Sequence, residues 1–204
     1  MALVNSFDAI IFDYGGVLVK HQTQADQGLM ADLLGIPVER FTELYWAHRA
    51  EYDKAGMTAA EYWHDIAQEG GAAVLNEDLL NQLTEIDTDS WMQFDEPMWL
   101  WIEELRKSGK RLAILSNMPQ ELGEALKART TRLAVFDHIT LSYEVRAAKP
   151  EPVIYEECLE GLGSTPEKTL FFDDRIENVQ GAELLGIRAI QFLDRDAVFL
   201  QVRE

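Results

Sequence analysis

Asp13 closes an apolar run over residues 7–12 and is followed by Tyr14, Gly15 and Gly16. A carboxylate delivered there could act as a nucleophile or bind a metal. An aspartate at such a place could equally cap its own turn. Ser116 and Asn117 end a second run, RLAIL. Their hydroxyl and amide could donate hydrogen bonds to a phosphoryl oxygen, or one of them could be a helix N-cap. Lys149 is kept out of a helix by Pro150. It could neutralise charge between a carboxylate and a phosphate, or stay a solvated loop lysine. Asp173 and Asp174 follow TLFF, and Asn178 comes about one helical turn later. Adjacent carboxylates repel unless a cation is near, and magnesium takes a few carboxylates together with water and phosphate oxygens. The competing reading of the pair is an acidic helix N-terminus.

The elements that must carry these residues alternate. Apolar runs at residues 7–12, Arg111–Leu115, His138–Leu141, Thr169–Phe172 and Arg188–Phe192 read as buried strands, the last followed by a short tail. Pro97–Lys107, Pro119–Arg129, Glu151–Leu162 and Ile176–Leu185 have helical patterns, with Gly186 as the C-cap of the last. Alternation of this kind predicts an α/β fold, a parallel sheet covered by helices on both faces. Asp13, Ser116, Asn117, Asp173 and Asp174 then converge at the C-terminal strand ends, where such sheets bind ligands.

Residues 20–94 break the alternation. Helices are expected over Ala25–Leu34, Pro37–Ala50, Thr58–Gln68 and Glu77–Leu83, with a capping box at Thr58–Glu61. The expected organisation is a core of residues 1–19 and 95–204, with a helical cap of residues 20–94 inserted after the first strand.

Composition narrows the partners. Eighteen basic against 36 acidic residues give a net charge of −18, which disfavours nucleic acid and anionic membrane surfaces. An anionic substrate must therefore meet local positive charge, a metal or backbone N–H groups. Hydrophobic residues make up 47% of 204, enough for a packed core. Cys158 is the only cysteine, so no disulfide forms within the chain and a reducing compartment is expected. Met1–Ser6 has no basic leader followed by a long apolar stretch. A cytoplasmic location is expected, and oligomeric state has no signal in the sequence.

The ordered set FDYGGVLV, LAILSN, AAKPEP and FFDDRIENVQGA resembles the haloacid dehalogenase-like hydrolase superfamily over almost the whole chain. The resemblance extends to the place of the helical cap. It implies a Rossmann-like core and a small α-helical cap that selects the substrate. It also implies a nucleophilic Asp13 that forms an aspartyl-phosphate, Ser116 and Asn117 orienting phosphate oxygens, and Lys149 offsetting charge. Magnesium would be held by Asp13, the Gly15 carbonyl and Asp174, with Asp173 acting directly or through water and Asn178 supporting the shell. The substrate would be a small phosphate ester.

Gly15 departs from the usual phosphatase pattern, in which a second aspartate protonates the leaving oxygen and later activates water. General acid–base help is worth roughly 10²–10⁴ in rate. Its loss favours a substrate with a good leaving group, and the sequence looks similar to α-D-glucose-1-phosphate phosphatase-like members, which share the Asp-x-Gly form. A sugar 1-phosphate is the expected substrate. Two alternatives are a weak or inactive binding protein and a metal-independent 2-haloacid dehalogenase; the Asp173–Asp174 pair argues against the latter. Arg49, Tyr52, Asp53 and Trp63 are the candidates for substrate contact in the cap, against ordinary helix packing. His21, close after the first motif, is a further substrate-side candidate that could enter the mouth of the site as a replacement acid, or be a hinge residue. Trp91, Trp99 and Trp101 read as core or interface residues.

Overall fold

Ala9, Ile10, Ile11 and Phe12 are all fully buried, which a strand achieves only when both faces of its sheet are covered. In the computed structural model, which describes residues 3–203, this strand is β1 (Ala9–Phe12). It lies at the centre of a five-stranded parallel sheet with β2 (Arg111–Ser116), β3 (His138–Leu141), β4 (Thr169–Asp173) and β5 (Arg188–Gln191), in the order β3-β2-β1-β4-β5. This is the α/β Rossmann-like arrangement expected from the sequence. Met1, Ala2 and Glu204, which the expected core segments include, lie outside the described residues.

Alternate side chains of the strands feed two cores. Ile10, Phe12, Leu112, Ile114, Leu170 and Phe172 join α5 (Glu96–Lys107), through Met98, Trp101 and Ile102, on one face. Ile11, Ala113, Leu115 and Phe171 join α8 (Pro152–Leu162) and α9 (Ile176–Leu184) on the other. Leu185 is the C-cap of α9 and Gly186 follows at φ +84°. The final segment is more than a tail. Arg195–Arg203 forms a helix, with Val198 and Val202 buried and Phe199 packed edge-on against Trp101. α6 (Gln120–Arg129) and the short α7 (Ser142–Val145) follow β2 and β3; the last helix is α10.

Between β1 and α5 run four helices, α1 (Gln24–Leu34), α2 (Val38–Asp53), α3 (Ala59–Gly70) and α4 (Glu77–Ser90). They enclose a third apolar cluster containing Met30, Phe41, Tyr45, Tyr62, Trp63, Ile66 and Leu83. The expected capping box forms at Thr58 and Glu61. Two helices are longer than the sequence pattern predicts. α2 continues past Ala50 to Asp53, where the Arg49–Asp53 pair spans one turn (2.7 Å). α4 continues past Leu83 through a polar stretch because Asp87, Thr88 and Ser90 are buried, with Asp87 and Ser90 hydrogen-bonded there.

The two chain crossings into this helical unit lie side by side. Val19 bridges Phe94 antiparallel, the Lys20 N–H donates to Gln93, and the Asp95 N–H donates to Leu18. The Trp99 indole N–H also donates to the Leu18 carbonyl, at 2.9 Å. This paired hinge holds the helical unit next to the C-terminal end of β1.

Candidate active site

Register sets the first layer. Phe12 is level with Ile114 and Phe172, so Asp13 emerges between the ends of β2 and β4, and its N–H donates to the Phe172 carbonyl at 2.8 Å. Asp13 Oδ1 accepts from the Tyr14 N–H at 2.6 Å and lies 2.8 Å from Lys149 Nζ. No hydrogen bond to Oδ2 occurs among the described residues, which leaves that oxygen for chemistry.

Lys149 is almost fully enclosed. Its ammonium donates to Asp173 Oδ2 at 2.6 Å and to the Leu115 carbonyl at 2.8 Å, and pairs with Asp13. Those three acceptors match its three N–H groups. Burial works against its charge, but Asp13 and Asp173 raise its pKa, so it stays protonated. The peptide before Pro150 is cis. Asn117 fixes this segment: its Oδ1 accepts from the Lys149 N–H at 2.8 Å and its Nδ2 donates to the Lys149 carbonyl at 3.0 Å.

Asp173 accepts three hydrogen bonds. Its Oδ1 accepts from the Arg175 N–H and from Asn178 Nδ2, both at 2.9 Å, and its Oδ2 accepts from Lys149. Asn178 is itself held by the Tyr155 hydroxyl, which donates to the Asn178 carbonyl. Asp174 points elsewhere. Its Oδ2 is 3.6 Å from His21 Nε2 and 3.0 Å from where a Cβ on Gly16 would stand. Gly16 has φ +71°, and an added Cβ would also meet the His21 ring at 2.5 Å. Only glycine fits this turn.

Asp13, Asp173 and Asp174 each offer an oxygen within 4.8 Å of the others. Burial, with Asp173 and Asp174 adding repulsion against the pull of Lys149, pushes the Asp13 carboxyl up to about 8. Burial and Asp173 raise Asp174 too. Three crowded carboxylates facing one lysine fit a hard divalent cation, whose charge would relieve this repulsion. Ser116 is buried, and its hydroxyl has no hydrogen bond to any described residue. It faces a cavity of about 620 Å³ that also reaches Asp13, Gly15, Asn117, Lys149, Asp174 and Asn178.

The helical unit supplies the opposite wall, with Trp46, Arg49, Asp53 and Trp91. Arg49 lies between the rings of Tyr45 and Tyr52 (5.1 and 5.5 Å to the centroids). Its bonds go to Asp53, Tyr45 and Asp87. His21 lines the mouth. Tyr52 and Trp63 do not reach the cavity: the Tyr52 hydroxyl donates to Glu121 on α6, and the Trp63 indole donates to Thr84 inside the helical unit. Trp91, expected as packing, is both buried and a wall residue. Its indole N–H donates to the Tyr45 hydroxyl at 3.1 Å, and its carbonyl accepts from Tyr14. Sequence spacing gave no sign of its contact with Gly15, because 76 positions separate them.

Comparison with known proteins agrees with this architecture. The chain is 27% identical over 191 residues to a Mycobacterium tuberculosis protein named phosphatase MT3486, covering 90% of this chain and 86% of that one. It is 23% identical over 202 residues to the sesquiterpene phosphatase astK of Aspergillus oryzae, covering 99% and 98%. Among solved structures, a haloacid dehalogenase family enzyme, bt-2542 of Bacteroides thetaiotaomicron, crystallised with magnesium and inorganic phosphate, superposes with a TM-score of 0.76 at 23% identity, over 95% of this chain and 99% of that one. That likeness carries the fold. Residues 7–186 match the haloacid dehalogenase-like hydrolase family, and with its strand order and strand-end carboxylates the chain belongs to that family of hydrolases.

Proposed function

We propose that the protein is a magnesium-dependent phosphatase of a small phosphorylated metabolite, acting through an aspartyl-phosphate at Asp13. The observation that carries this reading is the crowding of Asp13, Asp173 and Asp174 around one buried lysine, beside the unengaged Ser116 hydroxyl. Asp13, the Gly15 carbonyl and Asp174 would hold magnesium, with Asp173 helping directly or through water, and the bound cation would supply the charge neutralisation that lets a carboxylate approach an anionic phosphate. Asp13 Oδ2 attacks phosphorus. Ser116 donates a hydrogen bond to a phosphoryl oxygen, and Lys149 holds positive charge beside it. Asn117 and Asn178 keep Lys149 and Asp173 in place through the bonds described above.

The favoured substrate is a sugar 1-phosphate, because position 15 supplies no acid and an anomeric leaving group needs less protonation than a simple alkyl ester. Trp46 and Trp91 offer aromatic faces against which a sugar ring can stack. His21 and Arg49 are assigned to the substrate side of the cavity. Tyr52 and Trp63 act indirectly, by holding the helical unit together and against the core. The three-carboxylate cluster disfavours metal-independent dehalogenation.

A panel of phosphate esters with and without magnesium, with Asp13→Asn as control, tests the reading. The panel contains sugar 1-phosphates, hexose 6-phosphates, an acyl phosphate and an isoprenoid monophosphate. Metal-dependent phosphate release, absent in Asp13→Asn, is expected. No release from any ester by folded protein would leave a binding protein, and chloride release from L-2-chloropropionate without metal would identify a dehalogenase.

A further inference from the structure

We propose that Asp53, at the C-terminal end of α2, is the proton donor to the leaving group, taking the place of the carboxyl that position 15 lacks. The inference rests on the phosphatase reading above, adds a residue to it, and extends the substrates from esters with good leaving groups to simple alkyl esters.

Position 15 itself has no side chain, and the space beside it is filled. A Cβ there would stand 3.2 Å from the Trp91 ring. An acid must therefore come from another wall. Asp53 belongs to the same cavity as Asp13 and Ser116. Only 9% of it is exposed. Its Oδ1 accepts from Arg49 Nε at 2.7 Å, and its Oδ2 accepts no hydrogen bond among the described residues.

The backbone of Asp53 is tied to the core. Ser142 on the core side donates its hydroxyl proton to the Asp53 carbonyl, and the same hydroxyl accepts from the Met118 N–H at 2.9 Å. Met118 is the second residue after Ser116. One serine thus ties the end of α2 to the loop that carries the phosphate-facing hydroxyl. His21 is the other titratable group at the mouth, but its ring stands against Asp174 in the carboxylate cluster.

The groups facing Asp53 are Arg49 from α2, Tyr62 from α3, Asp87 from α4 and Arg175 from the loop after β4. Burial, reinforced by Asp87 and opposed by Arg49 and Arg175, lifts its carboxyl from the ordinary range to about 6. A proton donor near neutrality needs such a value.

The step balances. As Asp13 Oδ2 bonds to phosphorus and the ester P–O bond breaks, the Asp53 proton passes to the departing oxygen, releasing an alcohol. The Asp53 carboxylate then takes a proton from water as that water attacks phosphorus. Asp13 is released, inorganic phosphate departs and Asp53 is again protonated.

The test compares wild type and Asp53→Asn, both with magnesium, on p-nitrophenyl phosphate and on a simple alkyl phosphate. Nitrophenolate departs without a proton, whereas an alkoxide does not. The variant should lose ~10²–10⁴ in kcat/KM on the alkyl ester and far less on the aryl ester. The alkaline limb of the alkyl-ester pH profile should disappear. Asp53→Glu, which keeps the carboxyl one methylene away, should recover part of the alkyl-ester activity. Equal losses on both esters, or an unchanged alkaline limb, overturn the assignment alone. Wild type that hydrolyses a sugar 1-phosphate but not the alkyl ester also overturns the assignment alone, whereas no turnover of these two or of any ester in the panel above overturns the phosphatase reading and this assignment with it.

Discussion

The missing Cβ of Gly15 would lie 3.2 Å from Cζ3 of Trp91, inside the usual 3.5–4.0 Å separation of carbon atoms. Trp91 has little freedom to retreat. Its indole N–H is held by Tyr45, its carbonyl by Tyr14, and its ring meets Trp46 edge-on at 6.4 Å. Gly15 and Trp91 are therefore one unit, a glycine and the ring that occupies the glycine's side-chain space. Gly15→Asp should cost about 1–3 kcal/mol of stability by overpacking and give no gain in rate. Gly15→Asp combined with Trp91→Ala should show non-additive stability in a double-mutant cycle. Additive stabilities would mean the contact is not what excludes a side chain at position 15.

Lys149 links Asp13 to Asp173. Lys149→Met removes the cation and strands two buried carboxylates. Breaking a buried pair in this way costs roughly 3–5 kcal/mol. The loss, measured by denaturant unfolding without metal, should be larger at pH 9, where Asp13 is ionised in the wild type, than at pH 6, where Asp13 already carries a proton. A loss independent of pH would show that Lys149 acts by packing alone.

With the proposed cation at Asp13, that carboxyl would also couple stability to metal. Its folded-state pKa of about 8 lies above the ordinary 3.8, so between these values the folded chain holds a proton that the unfolded chain has shed. Raised binding of this kind makes stability fall as pH rises through that window. The Asp53 carboxyl, at about 6, acts in the same direction. Metal-free protein should lose thermal stability from pH 5 to pH 8. Magnesium bound at Asp13 as proposed would compete with its proton, so the stabilising shift on adding magnesium should be larger at pH 8 than at pH 6. Equal shifts at both values would place the cation away from Asp13.

The strand-end carboxylates were legible because each follows an apolar run, and strand ends are where a parallel sheet presents its ligands. The family and the parallel α/β class followed from the same pattern, whereas the order of the strands had no signal in it. Trp91 escaped because its partner at position 15 is remote in sequence and has no side chain to mark the contact. The last turns of α2 and α4 escaped for a related reason. Polar sequence such as Thr84–Ser90 reads as loop until Asp87 is seen bonded to Arg49 and Tyr45. Tertiary burial, rather than helix propensity, holds those turns, and the added turn of α2 is the one that carries Asp53 to the cavity. Tyr52 and Trp63 illustrate the converse: aromatic residues near a candidate site packed inward or across to α6, as helix stripes usually do.

Ser116 and Asn117 are neighbours with separable roles. The Ser116 hydroxyl bonds to no described residue and faces the cavity, whereas both polar atoms of the Asn117 side chain are bonded to the Lys149 backbone. Ser116→Ala should leave thermal stability almost unchanged. It should lower kcat/KM on a phosphate ester by ~10–10²-fold, the loss of one hydrogen bond to a charged oxygen. Asn117→Ala leaves the Lys149 N–H and carbonyl without partners, so stability should fall by about 1–3 kcal/mol, with the activity loss arising through a displaced ammonium. Kinetics and thermal unfolding of the two variants side by side check this division. If Ser116→Ala destabilised the fold as much as Asn117→Ala, its hydroxyl would be structural and the phosphate-facing role would fall.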